Sequence, residues 1–344
     1  MRPRRLLAPG VGYYHVISRI AGQRFLMDAE EKNRLLDLLF RAAEFSGVDV
    51  MTFALMDNHF HIMLRVPKSH PVDDADLVRR MRILYGDAKT DRVLEDWERW
   101  DKKGDGSRVI KAKTLLRERL FDLSEFCKTL KQHYSISYNV RHDYSGSIWG
   151  ARFKSMILSP DYETLMTVGA YIDLNPVRAS VVQDAQAYAW SGWGQAHRGH
   201  AGAREGLRML VAAAYARRDA TFEQASLAYG SAIQGFIERP SAQEFATVEP
   251  RPAAPTFESE AVEAKLDAGE ALALYELLRC RVRHFSAGLA LGPLAFVRQV
   301  VKGHAPSSSK DTARRCGCCK AVELYTARWL RGDNKVSLPR RRQA

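Results

Sequence analysis

Met56-Asp57-Asn58-His59-Phe60-His61-Ile62-Met63-Leu64-Arg65-Val66 is the stretch from which the rest of the chain can be read. Side chains of a strand alternate between two faces and rise about 3.3 Å per residue, so His59 and His61 share one face, roughly 6.6 Å apart. Met63 and Arg65 continue that face. Phe60, Ile62, Leu64 and Val66 form the other, apolar enough to sit on a layer of helices. Taken alone, a His-x-His pair is also what a polar strand face looks like. Partners elsewhere in the chain must decide between the two.

Working outward, residues 13–20 are rich in β-branched and aromatic side chains and predict a first strand. Asp28 is placed to cap a helix running to about Phe45, with Leu35, Leu36, Leu38, Leu39, Ala42 and Ala43 as its buried stripe and Gly47 past its end. Residues 48–56 predict a second strand, joined to the His-x-His strand by the Asp57-Asn58 turn as a hairpin. Residues 68–112 are charged and weakly amphipathic and are expected to form a helical insertion. A helix is expected over 113–141, with Leu116, Leu120, Leu123, Phe126, Cys127, Leu130 and Tyr134 on its core face. Residues 152–158 predict a fourth strand. The order β-α-β-β-α-β is that of a ferredoxin-like α+β fold: an antiparallel sheet with helices on one face, leaving the opposite face for a site.

A further helix starts after Ser159-Pro160-Asp161 and stops at Pro176. Leu165, Val168 and Ile172 form its apolar stripe; Glu163, Thr167, Tyr171 and Asn175 form a polar one. Tyr171 and Asn175 are therefore neighbours one turn apart, which also suits ordinary helix-end hydrogen bonding. Beyond residue 198 a helical extension is expected over 199–239, then a Pro- and Ser-containing linker over 240–259. A basic helical C-terminal region over 260–344 follows, with helices near 260–283, 294–301 and 322–330, and is a candidate second DNA-contacting module. The chain shows no internal repeat.

With 52 Lys and Arg against 40 Asp and Glu in 344 residues, the formal net charge is +12. Such an excess favours polyanionic partners, nucleic acid first and an anionic membrane surface second. No run approaches the ~18–20 apolar residues of a membrane span, and no signal-peptide core follows the first basic residues. Five cysteines do not make a disulfide framework. A soluble, cytoplasmic protein is expected. Cys316, Cys318 and Cys319 lack a second ligand pair at zinc-finger spacing. Tyr134 and Tyr138 lack an Asn four residues on and are assigned to core packing.

Two histidines on a strand, then a helix with Tyr and Asn four apart, resemble the HUH-type single-tyrosine transposases, in particular the REP-associated tyrosine transposase branch. Phe60 is the hydrophobic residue of the His-hydrophobic-His motif, and the helix signature stands as Tyr171-Ile-Asp-Leu-Asn175-Pro-Val-Arg178-Ala. Tyr14-His15-Val16, Met56-Asp-Asn-His59 and Arg152-Phe-Lys-Ser155 add to it, so the likeness spans about residues 10–195 within an expected catalytic domain of 1–198.

The resemblance implies Tyr171 as nucleophile, and His59, His61 and Asn175 as ligands of a divalent metal ion, Mg²⁺ or Mn²⁺. It implies a 5′-phosphotyrosine intermediate in DNA transposition and no nucleotide cofactor, consistent with the lack of a P-loop motif. The partner would be DNA, single-stranded, hairpin or palindromic repeat ends, bound by a monomer or a homodimer. His15, Arg19, Trp149, Arg152, Lys154 and Arg178 are the candidate DNA contacts. Two rivals stand beside this reading: a DNA-binding protein of the same fold that no longer transposes, and a metal-dependent phosphodiesterase that uses water.

Overall fold

The alternation along residues 59–66 is realised as strand β3 (His59–Val66), whose Phe60, Ile62 and Leu64 are fully buried. It pairs antiparallel with β2 (Asp49–Met56) on one side and β1 (Gly12–Arg19) on the other, and β1 pairs antiparallel with β4 (Lys154–Leu158). Helix α1 (Ala29–Ser46) lies between β1 and β2, capped by Asp28, whose side chain accepts from the Glu31 amide, and closed by Gly47 at φ 65°. Helix α5 (Leu123–Arg141) precedes β4. The order β2-β3-β1-β4 is the ferredoxin-like arrangement reached from sequence. The computed structural model describes residues 7–8, 10–216, 220–237, 288–304, 313–315 and 325–328.

Packing on the two faces follows the strand period. Phe53, Leu55, Phe60, Ile62, Leu64, Tyr14 and Val16 belong to one face, the one α1 covers, with α5 packed beside α1. The opposite face carries Thr52, Ala54, His59, His61, His15 and Met156. It is not open. Helix α6 (Tyr162–Asp173) and α9 (Ala201–Ala214) pack on it, so helices cover both faces rather than one. The physical reason is composition: every residue of α6 from Thr164 to Asp173 is buried, and such a helix needs a sheet beneath it.

Other expectations are refined. The helix foreseen over 113–141 is two helices. The insertion, α2 (Asp74–Tyr85), α3 (Asp87–Lys102) and α4 (Gly106–Arg117), takes the first part, and α5 starts only at Leu123. Between them Phe121 stands at φ 56°, its amide bonded to the Ser46 carbonyl, and Asp122 caps α5 through the amides of Ser124 and Glu125. Leu77, Met81 and Leu84 of α2 are buried in the main core. The helix after β4 breaks at Leu174 and resumes as α7 (Asn175–Arg178), with Pro176 in its first turn, where a missing amide costs nothing.

Short α8 (Gly192–His197) leads to α9 and α10 (Phe222–Ile237); a turn with Ala216 at φ 51° separates those two. The expected boundary at 198/199 falls between α8 and α9, which pack on each other. Of the C-terminal region, the helix near 294–301 is α11 (Leu294–His304). Residues 325–328 are a strand, not part of a helix: β7 (Tyr325–Arg328) joins β5 (Gly288–Gly292) and β6 (Ala313–Arg315) to extend the sheet beyond β4. Strand β5 runs parallel to β4. The linker, the helix near 260–283, the three C-terminal cysteines and the terminal arginines lie outside the described residues.

Candidate active site

The two histidines of β3 stand with ring centroids 5.1 Å apart on the face that α6 covers. Tyr171, two residues from the end of α6 and 4% exposed, lays its ring edge-to-face against His61 at 5.8 Å and against His15 at 5.9 Å. Asn175, one turn on, donates its Nδ2 to the Tyr171 carbonyl at 2.9 Å. Arg178, one residue short of another full turn, holds its guanidinium 4.7 Å from the centre of the Tyr171 ring. Its Nε and Nη1 are shielded from solvent and take no hydrogen-bond partner among the described residues. Residues separated by more than a hundred positions in sequence thus meet in one place.

The turn before β3 is pinned from several sides. The Asn58 carbonyl accepts from the Ile20 amide, the Asp57 carbonyl from the Met27 amide, and the Asp57 carboxylate pairs with buried Lys32 at 2.8 Å. Asn58 gives its Nδ2 to the Gln23 carbonyl, which turns its Oδ1 toward His59 Nδ1, 2.7 Å away. An amide oxygen only accepts, so His59 Nδ1 carries a proton, and in the neutral ring the lone pair is then on Nε2. His61 Nδ1 faces His15 Nε2 at 2.8 Å. Burial holds the His61 imidazole well below its usual pKa, and nearby His15, His59, Arg178 and Arg19 push in the same direction. It is neutral at neutral pH, as a metal ligand must be.

These donors fit a divalent cation. His59 would offer Nε2, His61 is neutral, and the hydrogen bond of Asn175 Nδ2 to the helix leaves Oδ1 as the atom of that side chain able to ligate. Among the described residues no group of three or more His, Cys, Asp or Glu side chains is arranged to hold a metal; two imidazoles and an amide oxygen are donor types that a divalent cation also takes. Such a set is uncharged and sits among cations, and it favours an anion as the remaining partner.

One residue that the sequence reading passed over anchors the helix. Asp173, fully buried, accepts hydrogen bonds from Thr52 Oγ1 of β2 and Tyr229 Oη of α10, both at 2.6 Å, and from the Trp193 amide at 2.9 Å. Burial lifts its carboxyl to about 6 against the pull of those donors. A single acid inside the apolar run from Val168 to Leu174 was the signal available in sequence. Asn58 was legible too, as the amide directly preceding His59 in a tight turn.

The remaining candidates divide. Arg19 lies opposite His59 in the β1–β3 ladder and Lys154 opposite Ile17 in the β1–β4 ladder, and both are exposed with Arg152 at that end of the sheet. Trp149 is not a stacking platform. It is 8% exposed, its ring packs against Phe60 and Tyr134, and its Nε1 donates to the Lys131 carbonyl. Its wide apolar ring fills the core between β3 and α5 instead. His15 is 1% exposed and too enclosed to reach DNA directly. Tyr134 and Tyr138 are buried in the core as expected.

Residues 11–85, from β1 to the end of α2, match the model of the family described as transposase, IS200 like. Among solved structures, the chain is similar to a REP-associated tyrosine transposase bound to a REP hairpin, at 12% identity and a TM-score of 0.38, over 58% of this chain and 86% of that one. Comparison with curated proteins gives no match. The family match supports DNA processing of the transposase type. Among the described residues no helix is long and apolar enough to cross a membrane.

Proposed function

We propose that this chain cleaves and rejoins DNA strands through Tyr171, as a tyrosine transposase acting on single-stranded or hairpin DNA. The observation that carries the reading is the seating of Tyr171 on the His-x-His strand, in ring contact with both His61 and His15. A core tyrosine needs no such company. Arg178 over the Tyr171 ring, with two guanidinium nitrogens that have no hydrogen-bond partner among the described residues, supplies donors suited to a phosphate oxygen beside the nucleophile. Arg19, Arg152 and Lys154 extend positive charge outward for the flanking strand.

In the proposed step Tyr171 Oη attacks phosphorus as the P–O3′ bond breaks. The phenolic proton is lost, the departing 3′ oxygen takes one up, and the 5′ end remains as a phosphotyrosine. Attack of a second 3′-OH on that phosphorus reverses the exchange and returns the proton to the phenol. Because the phosphodiester bond energy stays in the covalent link, no nucleotide cofactor is required. A divalent cation, Mg²⁺ or Mn²⁺, bound by His59, His61 and Asn175 would polarise the scissile phosphate. The protein's own part is to hold the phenol, exclude bulk water around it and present Arg178.

The test is a nicking assay with end-labelled single-stranded hairpin DNA and Mn²⁺ or Mg²⁺. Wild type is expected to release a fragment with a free 3′-OH and to leave the 5′ fragment end blocked by protein. Tyr171→Phe is expected to lose cleavage by at least a hundredfold. Cleavage by the Phe variant at wild-type rate, or a free 5′-phosphate as the direct product, favours water as the nucleophile and removes the reading.

A further inference from the structure

His15 belongs neither to the His-x-His pair nor to the helix signature, yet it touches both. On β1 it lies opposite Met63, while Ile17 lies opposite His61, so His15 is the diagonal same-face neighbour of His61. Its ring stacks on His61 with centroids 5.1 Å apart and planes at 25°, and meets Tyr171 edge-on at 5.9 Å. At 1% exposure, with the β1–β3 and β1–β4 ladders fixing its backbone, the ring has little room to turn away.

An imidazole that ligates a metal through one nitrogen needs its proton on the other, and whatever group bonds that second nitrogen decides the matter. For His59 the group is the Asn58 carboxamide. For His61 the nitrogen concerned, Nδ1, faces His15 Nε2 at 2.8 Å. At that separation the two rings cannot both present a proton or both present a lone pair.

We infer that His15 is the positioning residue of His61: its Nε2 accepts the His61 Nδ1 proton and so directs the His61 Nε2 lone pair toward the cation. The His15 proton then resides on its Nδ1. Each ligand histidine thereby has its own partner, an amide for His59 and a third imidazole for His61. The inference rests on the metal reading given above for His59, His61 and Asn175. It gives His15 a role inside the site in place of the direct DNA contact expected from sequence.

Two measurements test it. Long-range ¹H–¹⁵N correlation spectra of protein labelled at histidine, assigned with a His61→Asn variant, are expected to show wild-type His61 protonated on Nδ1 and bare on Nε2. In His15→Phe, which keeps the ring volume but offers no acceptor, that pattern is expected to be lost. Mn²⁺ alone, titrated while free ion is followed by electron paramagnetic resonance, is expected to bind His15→Phe about 10–100-fold more weakly than wild type. His15→Gln, which restores an acceptor oxygen, is expected to recover most of that loss. A wild-type His61 protonated on Nε2, or a His15→Phe protein with wild-type Mn²⁺ affinity, overturns the inference alone. A wild type that takes up no Mn²⁺ overturns the metal reading and the inference together.

Discussion

Asn58 commits both ends of its amide, Nδ2 to the Gln23 carbonyl and Oδ1 to His59 Nδ1, so the tautomer of one histidine is set by a turn that the strand itself requires. Arg178 is the opposite case, with Nε and Nη1 sheltered over the Tyr171 ring and, among the described residues, unpaired. A guanidinium in that state is costly unless a ligand supplies acceptors. Under the proposed function the acceptor is a backbone phosphate. Arg178→Ala should therefore weaken binding to single-stranded DNA and reduce the slope of log K against log salt by about 0.7, the value for one lost phosphate contact. Affinities measured across a salt series check this; an unchanged slope would mean that Arg178 serves the packing of Tyr171 only. At this scale the sequence singles out candidate residues by spacing and says little about what surrounds them. His59, His61, Tyr171 and Asn175 announce themselves by spacing, whereas the burial of His15 and Trp149 follows from which strand lies beside which.

Helix α6 is the element on which the site turns, and Asp173 ties it to β2, α8 and α10 at once. Its carboxyl, lifted to about 6 by burial, lies above the roughly 3.9 of an unfolded aspartate, so the folded state holds the proton more tightly. The sign follows: this group's contribution is fully present below about pH 4 and is lost as pH rises through 6, a change on the order of 3 kcal/mol. Glu31, Asp74 and Asp76, whose carboxyls are held below their usual values by Arg and Lys partners, act in the reverse direction. The difference between wild type and Asp173→Asn isolates the effect. Urea unfolding at pH 4.5 and 7.5 should show wild type losing more stability, or gaining less, than the variant as pH rises. Equal pH dependence would place the Asp173 proton elsewhere. Periodicity located α6 but misjudged its surroundings, because Glu163, Thr167, Tyr171 and Asn175 read as a polar stripe while Thr167 and Tyr171 are buried against the sheet.

Across the whole molecule, described segments beyond residue 198 join or pack on the sheet that carries the site: β5, β6 and β7 extend it and α9 lies on β2. Helix α9 approaches β2 so closely that a Cβ on Gly206 would stand 2.1 Å from the Val50 carbonyl oxygen and 2.8 Å from that of Met51. Neither oxygen belongs to a movable side chain, so Gly206→Ala should cost about 1–3 kcal/mol. A lowered midpoint in urea with an unchanged slope checks it, and no loss of stability would mean that α9 sits less tightly. This contact was not legible in sequence, since a glycine in an Ala-rich helix carries no mark of what it faces. Nor were β5 and β7: Gly288–Gly292 is a short apolar run that suits a strand or a helix equally until β4 offers an edge. The ferredoxin-like core was legible because caps, turns and alternation agree along residues 12–66. What unites the scales is the claim that Tyr171 becomes bonded to DNA. The direct measurement is mass spectrometry of protein digested after reaction with hairpin single-stranded DNA and Mn²⁺. The account predicts a peptide containing Tyr171 that carries a 5′-linked nucleotide; an adduct on another residue, or cleaved DNA with no adduct trapped on any peptide, would contradict it.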